Sequence, residues 1–311
     1  MILSDKEKEI LEVICYFDVL ERPVTILEIK TRLKSDYSLA EILSSVAENN
    51  LSQLIQDQDG YYFLAGREEL MRIRHERYII SVGKLRRAAK IIFFLKYLPW
   101  VRGILAYSSL SFFNANSDSD IDLFFIAEER RLWSARFFLN TFLKFFRLRP
   151  TSKTAKDKIC ASYLADQEHL DLSVANSGPT DYWYQYGVAQ FTPLFSQGKA
   201  VEIFFEANSW LKRLFPAWRP KQSVGEQKLA HSQFKNLLEI IGGCFTDKFY
   251  QKLQLAILPA KYREIMNSDT RVIIKDGMIK LHQSDRGRRY NQLFLDKYQQ
   301  TLNYANSLGE N

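Results

Sequence analysis

Two aspartates one residue apart, Asp120 and Asp122, stand at the mouth of an apolar run in the stretch "SSLSFFNANSDSDIDLFFI" (108–126). Residues i and i+2 of a strand point to one face, so both carboxylates are expected on one side with Ile121 and Leu123 on the other. Side by side they repel, and burying them unpaired is costly. A divalent cation between them removes that cost. Mg²⁺ (or Mn²⁺) suits, since it takes one or two protein carboxylates and completes its shell with water and substrate phosphates. Two such ions about 3.5–4 Å apart can hold the attacking and leaving oxygens of a phosphoryl displacement. Upstream, Ser108 and Ser109 end another apolar run, "GILAY", and begin a turn. Hydroxyls and backbone N–H groups at such a turn can hold phosphate oxygens. Ten residues, 110–119, would bring the two strand ends together. Metal carboxylates on one strand end beside a phosphate cradle on its neighbour predict a nucleotide site. An Asp-rich turn in solvent is the plainer reading, and it suits Asp118.

The elements that must position these residues are legible in outline. Residues 102–107, 120–127 and 158–165 read as strands, and 130–146 as an amphipathic helix packed on them. Ahead of them, 1–66 holds three helical patterns from Ser4, Thr25 and Ser38, then a hairpin around Asp59-Gly60. Residues 67–99 read as a basic linker helix, with Arg72, Arg74, Arg77, Lys84, Arg86, Arg87, Lys90 and Lys96. Such a stripe (72–96) fits nucleic-acid phosphates, or a solvated face with snorkelling side chains. From 179 to 311 the pattern is mainly helical: two helices are separated by Pro193 and Gly198, helical patterns run over 226–258, and a short β-ribbon falls near 271–281. A last helix spans 286–306. His282 and the basic Arg286, Arg288 and Arg289 follow the ribbon; an exposed loop is the simplest place for them.

The order small residue, Ser109, ten residues, then Ser119-Asp120-Ile121-Asp122-Leu123 resembles the signature of the nucleotidyltransferase superfamily of the DNA polymerase β type, and most of all its minimal bacterial members. The likeness covers roughly 100–175, about a quarter of the chain. Three helices and a hairpin within 1–66 resemble a winged helix-turn-helix module. The resemblance implies an α+β fold in three parts: a winged helix, a small mixed-sheet nucleotidyltransferase domain (100–178) and a helical C-terminal region. It implies Asp120 and Asp122 as metal-binding catalytic residues, with Ser109 and Ser108 at the β/γ phosphates. It implies transfer of a nucleoside monophosphate from an NTP, ATP foremost, to an acceptor hydroxyl. Where the family has a glycine this chain has Ser108. Where active members place a third carboxylate, on the next strand, the matching residue is Cys160 or Ser162, with Asp166 and Glu168 just beyond. These departures favour the alternative of a non-catalytic nucleotide- or DNA-binding regulator with a degenerate transferase domain. The helix from Ser38 carries Glu41 and Glu48 and no Lys or Arg, which opposes strong major-groove binding through it. A small-molecule modifier resembling aminoglycoside nucleotidyltransferases is a third reading.

Bulk composition bounds these readings. The 311 residues are 46% hydrophobic and 25% charged, enough for more than one core, and 43 Lys+Arg against 36 Asp+Glu favour an anionic partner. Cys15, Cys160 and Cys244 lack metal-ligand spacing and fit a reducing, cytoplasmic setting. The charged first ten residues do not read as a signal peptide. Lys96, Pro99 and Arg102 interrupt the most apolar stretch, 91–106, so no membrane partner is expected.

Overall fold

The computed structural model describes residues 2–47, 49–151, 153–222, 225–229, 232–282 and 286–308. Local signals set the first elements. Ser4 and Glu7 cap each other reciprocally at the start of the helix Asp5–Val19, as do Thr25 and Glu28 at Ile26–Lys30. Ser38 and Glu41 do the same before Leu39–Ala47; Glu48 of that segment lies outside the described residues. Strands β1 (Val24–Thr25), β2 (Ile55–Gln58) and β3 (Tyr61–Leu64) form an antiparallel sheet in the order β1-β3-β2. Asp59 and Gly60 both have positive φ (52° and 77°), the conformation a two-residue hairpin turn requires.

The long helix Glu69–Leu95 leads to the main sheet. This contains β4 (Val101–Ala106), β5 (Ile121–Ala127), β6 (Ile159–Asp166), β7 (Thr192–Ser196), β8 (Gln227–Lys228), β9 (Val272–Lys275) and β10 (Met278–Leu281), in the order β8-β7-β4-β5-β6-β10-β9. Pairs β5/β6 and β7/β8 are parallel and the others antiparallel. The fold is mixed α+β with mixed sheets.

Alternation along β5 sorts the core. Ile121, Leu123 and Phe125 pack with Ile92, Leu95 and with Leu139 and Leu143 of the helix Leu132–Phe145. Phe124 and Ile126 face the other way, toward Leu105, Tyr163, Phe191 and Phe204. That second core runs without interruption into Tyr16 and Phe17 of the N-terminal helix and Phe294 of the C-terminal helix Arg286–Ser307. Residues 1–66 therefore share their apolar interior with the centre of the chain. Asp122, two residues before Phe124, opens on this shared side.

Three differences from the sequence reading follow from physical causes. Pro193, read as a helix break, lies inside β7, where the pairing with β4 slips between Ile104 and Leu105; a residue without an N–H is tolerated at such an irregularity. The sheet thus extends well beyond 178, and the C-terminal region supplies β7–β10 as well as helices. The helical stretch 226–258 divides into β8 and the helices Gln233–Gly242 and Asp247–Ala256. A Cβ on Gly242 would stand 2.8 Å from Phe138 and 2.9 Å from Trp100, so the chain turns where only glycine fits.

The basic helix is largely engaged internally. Arg74 bonds the Pro23 carbonyl and pairs with Glu28, and its guanidinium lies over Tyr61. Arg77 pairs with Glu21 and bonds the Leu20 carbonyl, Arg72 pairs with Glu76, and Lys84 is buried. Arg86 and Lys90 remain exposed. Among the described residues no helix is long and apolar enough to cross a membrane.

Candidate metal and nucleotide site

Strand β4 ends at Ala106; Tyr107 follows, and Ser108 opens the four-residue helix Ser108–Ser111. Ser108 has φ +59°, the left-handed region glycine adopts freely and other residues reach at a cost of about 1–2 kcal/mol. The position where the resemblance places a glycine thus has the backbone of one. Both serines line a cleft of about 1880 Å³ shared with Asp120 and Asp122. We expect Ser108→Gly to leave stability within about 0.5 kcal/mol of wild type, relief of strain offsetting greater unfolded-state freedom. Ser108→Val, β-branched at positive φ, should lose roughly 2 kcal/mol. Urea unfolding of both variants checks the contrast.

The loop before β5 is clamped from the long helix. Lys84 Nζ donates to the Ser117 carbonyl (3.1 Å), the Ser119 carbonyl (2.7 Å) and Asp157 Oδ1 (2.7 Å), with only 3% of the side chain exposed. From the other side the Asp157 N–H donates to the Ser119 carbonyl (3.1 Å) and the Ile121 N–H to the Lys158 carbonyl (2.7 Å). Asp120 is therefore presented by a loop tied at both flanks.

Parallel pairing of β5 with β6 sets Asp122 opposite Cys160. One ligand atom each from Asp120, Asp122 and Cys160 lie within 4.8 Å of one another. Removal from bulk water, and then Asp120, push the Asp122 carboxyl up to about 7; Ser108 and Cys160 as hydrogen-bond partners, and the Arg286 charge, pull the other way. Burial and the two aspartates push the Cys160 thiol well above its usual range, so it stays protonated at neutral pH. A site that loads one carboxylate with a proton in order to tolerate its neighbour is a site with unmet demand for positive charge.

The wall behind the cluster is a hydrogen-bonded series. Cys160 Sγ donates to Ser162 Oγ (3.3 Å), and the Tyr107 hydroxyl shares hydrogen bonds with Ser162 Oγ (3.1 Å) and His282 Nε2 (3.1 Å). His282 also stacks on Tyr107, 6.1 Å between ring centroids at 17°. Burial, Lys280 and Arg286 lower His282 to about 3. Its folded pKa is depressed, so folding excludes its proton: the contribution to stability is present above about pH 6.5 and falls away toward pH 3. A histidine NMR titration should show the His282 ring unchanged between pH 5 and 8.

The structure brings all four expected residues, Ser108, Ser109, Asp120 and Asp122, to one cleft, and adds Arg286 and Arg288 to its lining. Arg289 is outside that lining. Asp166 pairs with Ala127 at the far end of β6, where it accepts from His169 Nδ1 (2.6 Å), so neither it nor Glu168 can stand in for a third carboxylate. On β6 it is Cys160 that stands opposite Asp122. Sequence reasoning missed Tyr107, His282 and Lys84 as parts of the site. Tyr107 read as a strand end, His282 as part of a basic loop and Lys84 as one cation of a stripe. Compared with protein-family models, curated proteins and solved structures, the chain matches none.

Proposed function

We propose that the cleft is a metal-dependent nucleotidyltransferase site, which binds an NTP and passes its nucleoside monophosphate to an acceptor hydroxyl. The observation that carries this reading is the convergence of Asp120 and Asp122 at a loop held by Lys84, beside the serine turn at Ser108. The donor set fits Mg²⁺ or Mn²⁺: two oxygen ligands, one of them, Asp122, raised to about 7 by burial and then by Asp120. The protonated Cys160 thiol is a soft donor and does not suit Mg²⁺. Asp120 and Asp122 would hold the ion, which would supply neutralisation of the triphosphate charge and a lower pKa for an attacking hydroxyl. Ser109 and Ser108 offer hydroxyls to the β/γ phosphates, and Arg286 adds positive charge close to Asp122. Tyr107, Ser162 and His282 fix the wall against which the substrate packs. The order of helices and hairpin in 1–66 supports a winged helix-turn-helix reading for that part, here joined to the transferase by a common core.

Cys160 at the third-carboxylate position favours one alternative, a regulator that binds nucleotide without transferring it. Incubation with Mg²⁺ and each NTP labelled in the α-phosphate, with RNA, the protein itself and aminohydroxyl small molecules as acceptors, separates the two. Label transfer with pyrophosphate release, absent in Asp120→Asn/Asp122→Asn, supports transfer. Metal-dependent nucleotide binding with no label in any acceptor supports the regulator.

A further inference from the structure

Cys160 and its neighbour Ala161 point to opposite faces of β6, and the cleft is lined on the Ala161 side by the helix Leu132–Phe145. Arg136 lies there, 7% exposed. Its Nη1 donates to Gln254 Oε1 (2.6 Å). Gln254 is itself fixed, its Nε2 donating to the Trp133 carbonyl (2.8 Å) and the Tyr250 carbonyl (3.1 Å). The guanidinium sits 5.8 Å from the Trp133 ring, and its Nε has no partner among the described residues.

The charge around Arg136 is unbalanced. Among the described residues no carboxylate pairs with it, and the charged group that acts on it most is another cation, Arg149. Burial, with Arg149, pulls Arg136 down to about 10, which still leaves it charged at neutral pH. Arg149 and Lys144, both exposed, also line the cleft and form no ion pair among the described residues. Thr141 and Tyr262 bring hydroxyls to it. A buried guanidinium without an anion is expensive to keep. Gln254 holds this one in place with its charge unanswered, and the other cations that line the cleft with it suit a planar or tetrahedral oxyanion.

We propose that Arg136 and Arg149, with Lys144 at the rim, form a second anion subsite in the cleft, apart from Asp120 and Asp122, that takes the dianionic phosphoryl group of a phosphorylated ligand. A buried guanidinium with further cations in the same cleft favours a dianion over a monocarboxylate. The subsite stands whether or not the cleft transfers nucleotide, since it needs neither the aspartates nor a metal.

The test is calorimetric titration of inorganic phosphate, and separately of acetate, into the full chain at pH 8 in EDTA at constant ionic strength. Saturable phosphate binding should weaken about tenfold or more in Arg149→Ala, be lost in Arg136→Gln, and persist in Asp120→Asn/Asp122→Asn. Arg149 is exposed, so its variant reports even if Arg136→Gln fails to fold. Absence of saturable phosphate binding in the wild type, or unchanged affinity in Arg149→Ala, overturns the subsite. Acetate binding as tightly as phosphate overturns the phosphoryl assignment.

Discussion

In EDTA at pH 8, Asp122→Asn should melt above the wild type, by about 3 °C, while losing metal-dependent nucleotide binding. The causes are the removal of Asp122 from bulk water and, after that, the neighbouring Asp120. The Asp122 carboxyl titrates at about 7 in the folded protein against an ordinary 3.8, a difference worth at most about 4 kcal/mol. Partial contact with solvent reduces this to about 2 kcal/mol, and each kcal/mol moves the melting point of a chain of 311 residues by about 1.5 °C. The sign is fixed by proton linkage. The folded state holds the Asp122 proton more tightly than the unfolded state, so the wild type keeps this contribution below about pH 4 and loses it as pH rises through about 7. Asparagine does not titrate, so the advantage of Asp122→Asn should shrink steadily from pH 8 to pH 5. Mg²⁺ should raise the melting point of the wild type at pH 8 and leave Asp122→Asn unmoved. Scanning calorimetry across that range, with and without Mg²⁺, reads all three effects. A variant that melts at or below the wild type at every pH would mean that the carboxylates are already compensated. A site whose functional residues destabilise the fold is the usual signature of chemistry kept at some expense of stability.

The second large effect belongs to Lys84. Lys84→Met should destabilise by about 2–3 kcal/mol, because two loop carbonyls at Ser117 and Ser119 lose their common donor inside the protein. Asp157→Asn should cost under about 1 kcal/mol, since that carboxylate is about a third exposed and the ion pair is screened. The contrast identifies Lys84 as a positioning residue for the Asp120 loop and not merely half of a salt bridge. Loosening the loop should also raise the Kd for Mg²⁺-nucleotide by about tenfold without changing the Asp122 titration. Urea unfolding gives the first comparison, and nucleotide titration of the purified variants the second. Equal destabilisation by the two substitutions would return the clamp to an ordinary ion pair.

What could be read from the chain was whatever its signal lies within a few residues. Asp59-Gly60 announces a two-residue turn, Ser4 and Glu7 announce a helix start, and the spacing of Asp120 and Asp122 places both in one metal-sized cluster. What could not be read depends on partners far along the chain. Lys84 looks like one cation among eight until the Ser117 and Ser119 carbonyls arrive 33 and 35 residues later. Tyr107 meets His282 across 175 residues, and no local pattern links them. Pro193 reads as a breaker because its missing N–H is a local fact, whereas the slip in β4 that accommodates it is a tertiary one. Arg136 occupies what looks like a polar position of an amphipathic helix, and only the packing of Gln254 against it makes it interior.

The most direct test of the paired aspartates is isothermal titration of ATP, then the other NTPs, into the protein with Mg²⁺ or Mn²⁺, alongside Asp120→Asn/Asp122→Asn. Metal-dependent binding is predicted in the wild type and its loss in the double variant, which should remain folded. Equal binding by both proteins, or none by the wild type with either metal, would contradict a nucleotide–metal site at Asp120 and Asp122.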